Sequence, residues 1–244
     1  YHQIDSVSYL ASDYFIPNEY DKLMSIIGAQ GTNAYTSTDM TVYVEDIPSN
    51  QIENWARIEA DRFMNPVIRG FHTELETVYE EKNMSLTRDF RKALETMDGM
   101  LFPDHPYGTQ TVLGTQEHLK NPSITNIKNY HKTYYVPNNM AICLSGDFDP
   151  DEMLAIIEKY FGQMEPNKDL PELKFETASV IESPMSKDVY GLDAENIMIG
   201  WKYPGAGTHE AMVADVVSYI LSNGSAGLID LNLNQQQKVL GAQA

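Results

Sequence analysis

Four acids crowd one stretch of the chain. In FHTELETVYEEKNMSL, Glu74 and Glu81 stand seven residues apart with Val78 between them. Seven residues are nearly two helical turns, so both carboxylates share one helix face, about 10.5 Å apart along the axis. Such a pair has two uses. Both can be solvated surface acids, in a chain with 35 Asp and Glu. Alternatively one binds a metal while the other steadies the ligand set from behind, since catalytic zinc accepts a Glu oxygen beside two His nitrogens. Glu80 is the neighbouring alternative if the register is off by one. The nitrogen donors are the difficulty. The histidines are His2, His72, His105, His118, His131 and His209. No two have helical ligand spacing around a Glu, and neither H-E-x-x-H nor H-x-x-E-H occurs.

Other reactive residue types point to packing. Cys143 is the one cysteine and lies in an apolar run, so it reads as filler, not nucleophile. His105 opens HPYG in a loop and is not assigned as a ligand. His131, Tyr130, Tyr134 and Tyr135 suit contacts between a helix and its neighbours.

These residues need elements to position them. Tyr20, Leu23, Met24 and Ile27 give a helical stripe that Gly28 and Gly31 end. Asn33–Ile47 is rich in Thr, Tyr and Val and predicts a strand pair or one bent strand. Ser49 is a candidate cap for a helix carrying Ile52, Trp55, Ala56 and Phe63. A longer helix is predicted over His72–Phe90, then a long surface loop through MDGMLFPDHPYGTQTVLGT. Ser123 caps a helix that Pro137 stops, and Met140–Leu144 reads as a central strand. Asp149-Pro150 starts a helix that Gly162 closes. Asn196–Trp201 reads as a strand, and Val213, Val216, Val217 and Ile220 mark a last helix. The order predicts an α+β fold of two lobes, each a mainly antiparallel sheet packed with helices. The lobes are residues 1–120 and 121–244, joined near Lys120–Ser123.

Composition narrows the partners. At 42% hydrophobic residues the chain can bury a core, which argues against disorder. A net charge of −18 argues against nucleic acid or an anionic membrane as the main partner, because both need clustered positive charge. No apolar run approaches the roughly 20 residues of a membrane span.

Four segments together resemble the insulinase/pitrilysin-type zinc metallopeptidases, the inverted-motif zincins. Gly28–Tyr43, GAQGTNAYTSTDMTVY, is similar to that family's Gly-rich turn, Asn-Ala-x-Thr and following strand. Glu74–Glu81, ELETVYEE, matches its E-x-x-x-V-x-x-E pattern. HPYGTQTVLGT, SITNIKNYH and the stretch to Phe161 with NNMAICLSGDFDP form the third segment. IGWKYPG with ILSNGSAGLIDLNL forms the fourth.

The resemblance implies roles. Glu81 matches the third zinc ligand, and Glu74 the helper carboxylate two turns back. Asn33 and Ala34 match a strand whose edge pairs with an extended substrate by β-augmentation. The family's H-x-x-E-H helix precedes that strand, so the general-base Glu and two His ligands are expected upstream of residue 1. Tyr1–Ile16 looks like an inserted helical segment between that motif and the match. The chain is therefore expected to be an internal piece of a zinc-dependent endopeptidase, inactive and without zinc on its own. The alternative is a non-catalytic partner or scaffold half. Expected partners are peptides or small proteins, a second peptidase half, and another copy of the chain through open sheet edges.

Overall fold

The structure, a computed structural model, describes residues 2–14, 16–68, 70–120, 122–175 and 178–244. Tyr1 and Phe15 of the expected N-terminal helical segment, and Asn121 of the expected lobe junction, lie outside the described residues. The chain divides into two units. The first takes in residues 1–179 and 187–193, and the second residues 180–186 and 194–244.

In the first unit, α1 (His2–Ser12) and α2 (Glu19–Ile26) precede a hairpin of β1 (Gln30–Thr36) and β2 (Thr41–Asp46). The Asn33–Ile47 stretch is thus a strand pair. Its antiparallel register sets Asn33 opposite Val44 and Ala34 opposite Tyr43, with one extra β1 residue between Gln30 and Asn33. Gly31 supplies that bulge at φ +63, a left-handed conformation costly for residues with a Cβ.

The apolar stripe at Trp55, Ala56 and Phe63 forms α3 (Ile52–Met64), which packs on α9 (Pro150–Phe161). Ala56 and Ala60 are fully buried against Phe161, with Trp55, Ile156, Ile157 and Tyr160 around them. Small residues on α3 let the two helices approach closely. Ser49 does not cap α3. It lies inside a 3-10 turn, Ser49–Gln51, entered from Pro48.

The predicted helix over His72–Phe90 is two helices, α4 (Phe71–Leu86) and α5 (Asp89–Leu101). Near the break, the Ser85 hydroxyl donates to Lys82 O and the Thr87 hydroxyl to Met84 O, and Arg88 is extended. These hydroxyls take carbonyls at the end of α4. The expected loop after residue 97 is instead the end of α5 followed by a short α6 (Pro106–Thr109) and α7 (Gln116–Lys120). His105 caps α6, its Nδ1 accepting from Tyr107 N–H at 3.2 Å.

Two caps stand where the sequence puts them. Ser123 Oγ accepts from Asn126 N–H at 3.2 Å to start α8 (Ile124–Tyr134). Asp149 Oδ1 accepts from Asp151 and Glu152 N–H at 2.9 and 3.1 Å, with Pro150 first in α9.

The second unit holds α10 (His209–Leu221), capped by Thr208, and a π-helical turn at Asp230–Asn234. Asp230 is buried and its Oδ2 accepts from the N–H groups of Asn223, Gly224 and Gly227. The described residues form one two-stranded sheet. Met140–Leu144 and Asn196–Trp201 have strand-like sequences but join no ladder. Propensity alone makes no strand, because a strand is stabilised by a paired neighbour. No helix among the described residues is long and apolar enough to cross a membrane.

Candidate functional site

The acids of α4 are placed by what the helix buries. Lys82 is 4% exposed, and its Nζ donates to Glu95 Oε1 of α5 at 3.0 Å and to Thr111 Oγ1 at 3.4 Å. Glu95 also accepts from Arg91 Nε at 3.1 Å, so the buried ammonium has a shared carboxylate as counter-ion. Leu75, Val78, Tyr79 and Leu86 are half-buried on the same side of α4.

At about 100° per residue, Glu74 and Glu81 lie on one flank of this buried face, only about 20° apart around the axis. Glu80 falls roughly 160° from Lys82, on the far side. All three are exposed. Glu80 accepts a long 3.5 Å bond from Asn83, its neighbour three residues on. The helix thus brings Glu74 and Glu81 to one side and separates them from Glu80.

Asn33 and Ala34 belong to the hairpin, which adjoins α2, whereas α4 packs on α5 and α7. Ser37 N–H donates to Met40 O at 2.8 Å across the Thr38-Asp39 turn, making 37/40 a hydrogen-bonded pair. Antiparallel pairs alternate, so 35/42 and 33/44 are hydrogen-bonded, while Thr36/Thr41 and Ala34/Tyr43 are not. Thr36 Oγ1 and Thr41 Oγ1 lie 3.2 Å apart, as close-set side chains of a non-hydrogen-bonded pair allow. The N–H and C=O of Ala34 therefore point away from β2, to the outer edge of β1. All seven β1 residues are exposed. The Ala34 N–H donates to the Asn33 side-chain oxygen at 2.8 Å, so Asn33 fills the place an incoming strand carbonyl would take.

Beneath the hairpin is a cluster that motif spacing did not single out. Tyr43 and Glu45 point to the same face of β2, two residues apart. Glu45 accepts from the Tyr20 hydroxyl of α2 and, at 2.6 Å, from Trp55 Nε1 of α3. The Tyr43 hydroxyl lies 3.1 Å from that of Tyr135, and the Tyr135 ring stacks on His131 at 4.5 Å. Glu59 is 3% exposed and pairs with Arg62. Burial pushes the Glu59 carboxyl up, opposed by the Arg62 charge. Burial also pushes up the Tyr20 and Tyr43 hydroxyls and pushes His131 down. The sequence signal was the i,i+3 Glu59–Arg62 pair beside alternate polar residues on β2, but neither feature shows burial by itself.

Among the described residues, no group of three His, Cys, Asp or Glu side chains converges to hold a metal ion. The donors present do not fit a zinc site. Among the described residues, Glu81 is an exposed carboxylate that belongs to no such group.

A family described as the peptidase M16 inactive domain matches residues 123–244. An uncharacterised zinc protease of Mycobacterium leprae is 31% identical over 53% of this chain and 29% of its own. The zinc protease PqqE of Helicobacter pylori is 23% identical over the whole of this chain and 55% of its own. The chain thus spans about half or less of the length of these relatives. Among solved structures, a protease from Helicobacter pylori superposes with a TM-score of 0.58 at 22% identity, over 63% of this chain and 38% of its own. That likeness shows a fold shared with part of that protease, here rich in helix with a small two-stranded sheet among the described residues.

Proposed function

Since the chain belongs to the M16 peptidase family, the insulinase/pitrilysin type, we propose that it is one part of a zinc-dependent endopeptidase. It holds an extended peptide along β1 and offers Glu81 to a metal site whose nitrogen donors come from outside this sequence. The observation that carries the reading is the outer edge of β1. Ala34 presents N–H and C=O outward from a fully exposed strand, and main-chain bonds there would hold a peptide without selecting its sequence. Binding would swing the Asn33 amide off the Ala34 N–H and put a substrate carbonyl in its place.

The rotation of α4 supports Glu81 as the ligand and Glu74 as its helper, since Lys82 directs both to one flank and turns Glu80 away. Residues 1–120 would form the lobe with α4 and β1, and residues 121–244 the second lobe, a division favoured by the family match starting at residue 123. The strand-like runs at Met140–Leu144 and Asn196–Trp201 would complete mainly antiparallel sheets in these lobes.

A second reading is a non-catalytic half that encloses substrate or supports an active partner. It is favoured by the matched family's description as an inactive domain. Val216 and Tyr219 of α10 are 59% and 69% exposed, a face suited to a second peptidase half or another copy of the chain. Sedimentation would read self-association directly, and a strictly monomeric mass would remove the second-copy alternative.

The deciding experiment measures zinc content and peptide hydrolysis of the assembled peptidase with Glu81→Gln, Glu74→Gln and Glu80→Gln. Glu81→Gln should lose both. Glu74→Gln should lose roughly 10–100-fold in affinity or rate, as for a supporting residue. Glu80→Gln should be nearly silent. Loss of zinc in Glu80→Gln alone would shift the register by one, and three silent variants would leave α4 a solvated acidic face.

A further inference from the structure

The Arg62 guanidinium lies over three rings. Its carbon is 4.2 Å from the centre of Tyr20, 4.7 Å from Tyr43 and 4.9 Å from Phe63. Tyr20 is on α2 and Tyr43 on β2, both of which adjoin β1. Tyr43 also packs edge-on against Phe63, with centroids 5.4 Å apart, and reaches the hydroxyl of Tyr135, the residue that ends α8. Across the hairpin, Tyr43 stands directly opposite Ala34 in a non-hydrogen-bonded pair, where facing side chains are closest.

The Glu59–Arg62 pair is a poor choice for stability alone. One oxygen of Glu59 and the Nε of Arg62 are buried without a hydrogen-bond partner. Buried ion pairs often do no better than apolar side chains of the same volume, and orphaned polar atoms add a cost. What an apolar residue would not supply is a planar cation attracted to ring faces on two elements at once.

We propose that Arg62 is a positioning residue for the peptide-holding edge. It fixes the Tyr43 ring against α2 and α3, and through the Tyr43–Ala34 pair it sets where the outward N–H and C=O of Ala34 stand. Glu59 holds the guanidinium in place at 2.5 Å from Nη2. This inference rests on reading β1 as the edge that holds substrate.

The test compares Arg62→Met, Arg62→Lys and Tyr43→Leu with the wild-type chain. Exchange of the Tyr35, Val42 and Val44 amides, which face into the ladder, is measured by NMR. Binding of a fluorescein-labelled, proline-free decapeptide is measured by anisotropy. Arg62→Met should keep slow exchange at Met153 and Ile157 in α9, yet speed the three hairpin amides about tenfold and weaken the peptide about tenfold. Arg62→Lys keeps a cation over the rings and should restore most of both. If Arg62→Met does not fold, Tyr43→Leu carries the test, because it removes the ring at a partly exposed position and should loosen the same amides. Unchanged hairpin exchange in a folded Arg62→Met or in Tyr43→Leu would overturn the proposal, as would failure of Arg62→Lys to rescue. Absence of binding by the wild-type chain would overturn the edge reading, while faster hairpin exchange in Arg62→Met would still uphold the hold of Arg62 on the strand pair.

Discussion

The Asp89 carboxylate fills the space a side chain on Gly191 would need: a Cβ there would collide with its carboxyl carbon and both oxygens. Asp89 is buried in the first turn of α5. It accepts from the N–H groups of Leu192 and Asp193, the latter at 2.7 Å, and from Lys92 Nζ at 3.0 Å. The two backbone bonds strap Leu192 and Asp193 to α5. Gly191→Ala is expected to displace the strap and lower the melting midpoint by several degrees, read by calorimetry. Ala at Gly205, where a Cβ meets nothing, should change little.

Acid should loosen two such anchors. Backbone N–H donors hold Asp89 and Asp230 below the usual carboxylate range. Their stabilisation is present above about pH 4, the unfolded value, and is lost as pH falls through the lowered folded values. Denaturant midpoints between pH 3 and 7 should therefore fall toward acid, and Asp230→Asn should flatten that slope while lowering stability at neutral pH.

Glu59 has the opposite sign. Burial raises its carboxyl, with Glu45 adding to the effect and Arg62 and the Tyr20 hydroxyl opposing it. The folded state holds this proton more tightly, so the contribution is full below about pH 4.3 and is lost as pH rises through the folded value. In the same titration, Glu59→Gln should gain relative to wild type as pH climbs from about 4.3 toward neutral.

The α3–α9 contact should carry much of the first unit's stability. Phe161→Ala removes a ring from the buried cluster with Ala56 and Ala60, and about 3–5 kcal/mol is expected from urea denaturation. Ala60→Leu overfills the same contact and should cost about 1–3 kcal/mol.

Local chemistry was legible in the sequence and distant pairing was not. Asp149 and Ser123 were readable as caps because the groups they bond lie within three residues. Asp149→Ala should accordingly cost about 1 kcal/mol. Met140–Leu144 has the composition of a strand, but a ladder depends on a partner remote in sequence, and none pairs with it among the described residues. The helix carrying Glu74 and Glu81 was visible, whereas its rotation depends on Lys82 finding Glu95, thirteen residues on. Tyr43 and Tyr135 are 92 residues apart, so no window along the chain could join them. Resemblance named the family where spacing left the acids of α4 undecided.

The bulge at Gly31 bears on how this chain can vary. The hairpin turn fixes the phase of β1 from Asn33 onward, while the extra residue resets the phase of the chain leading back to α2. Strand side chains alternate faces with every residue, so losing a single codon at this point would invert the approach of everything upstream. Tyr20 would be carried away from Glu45, though no residue of the cluster had changed. Substitutions across the exposed face of β1 can accumulate one at a time, but length in this segment is heritable only as a fixed count.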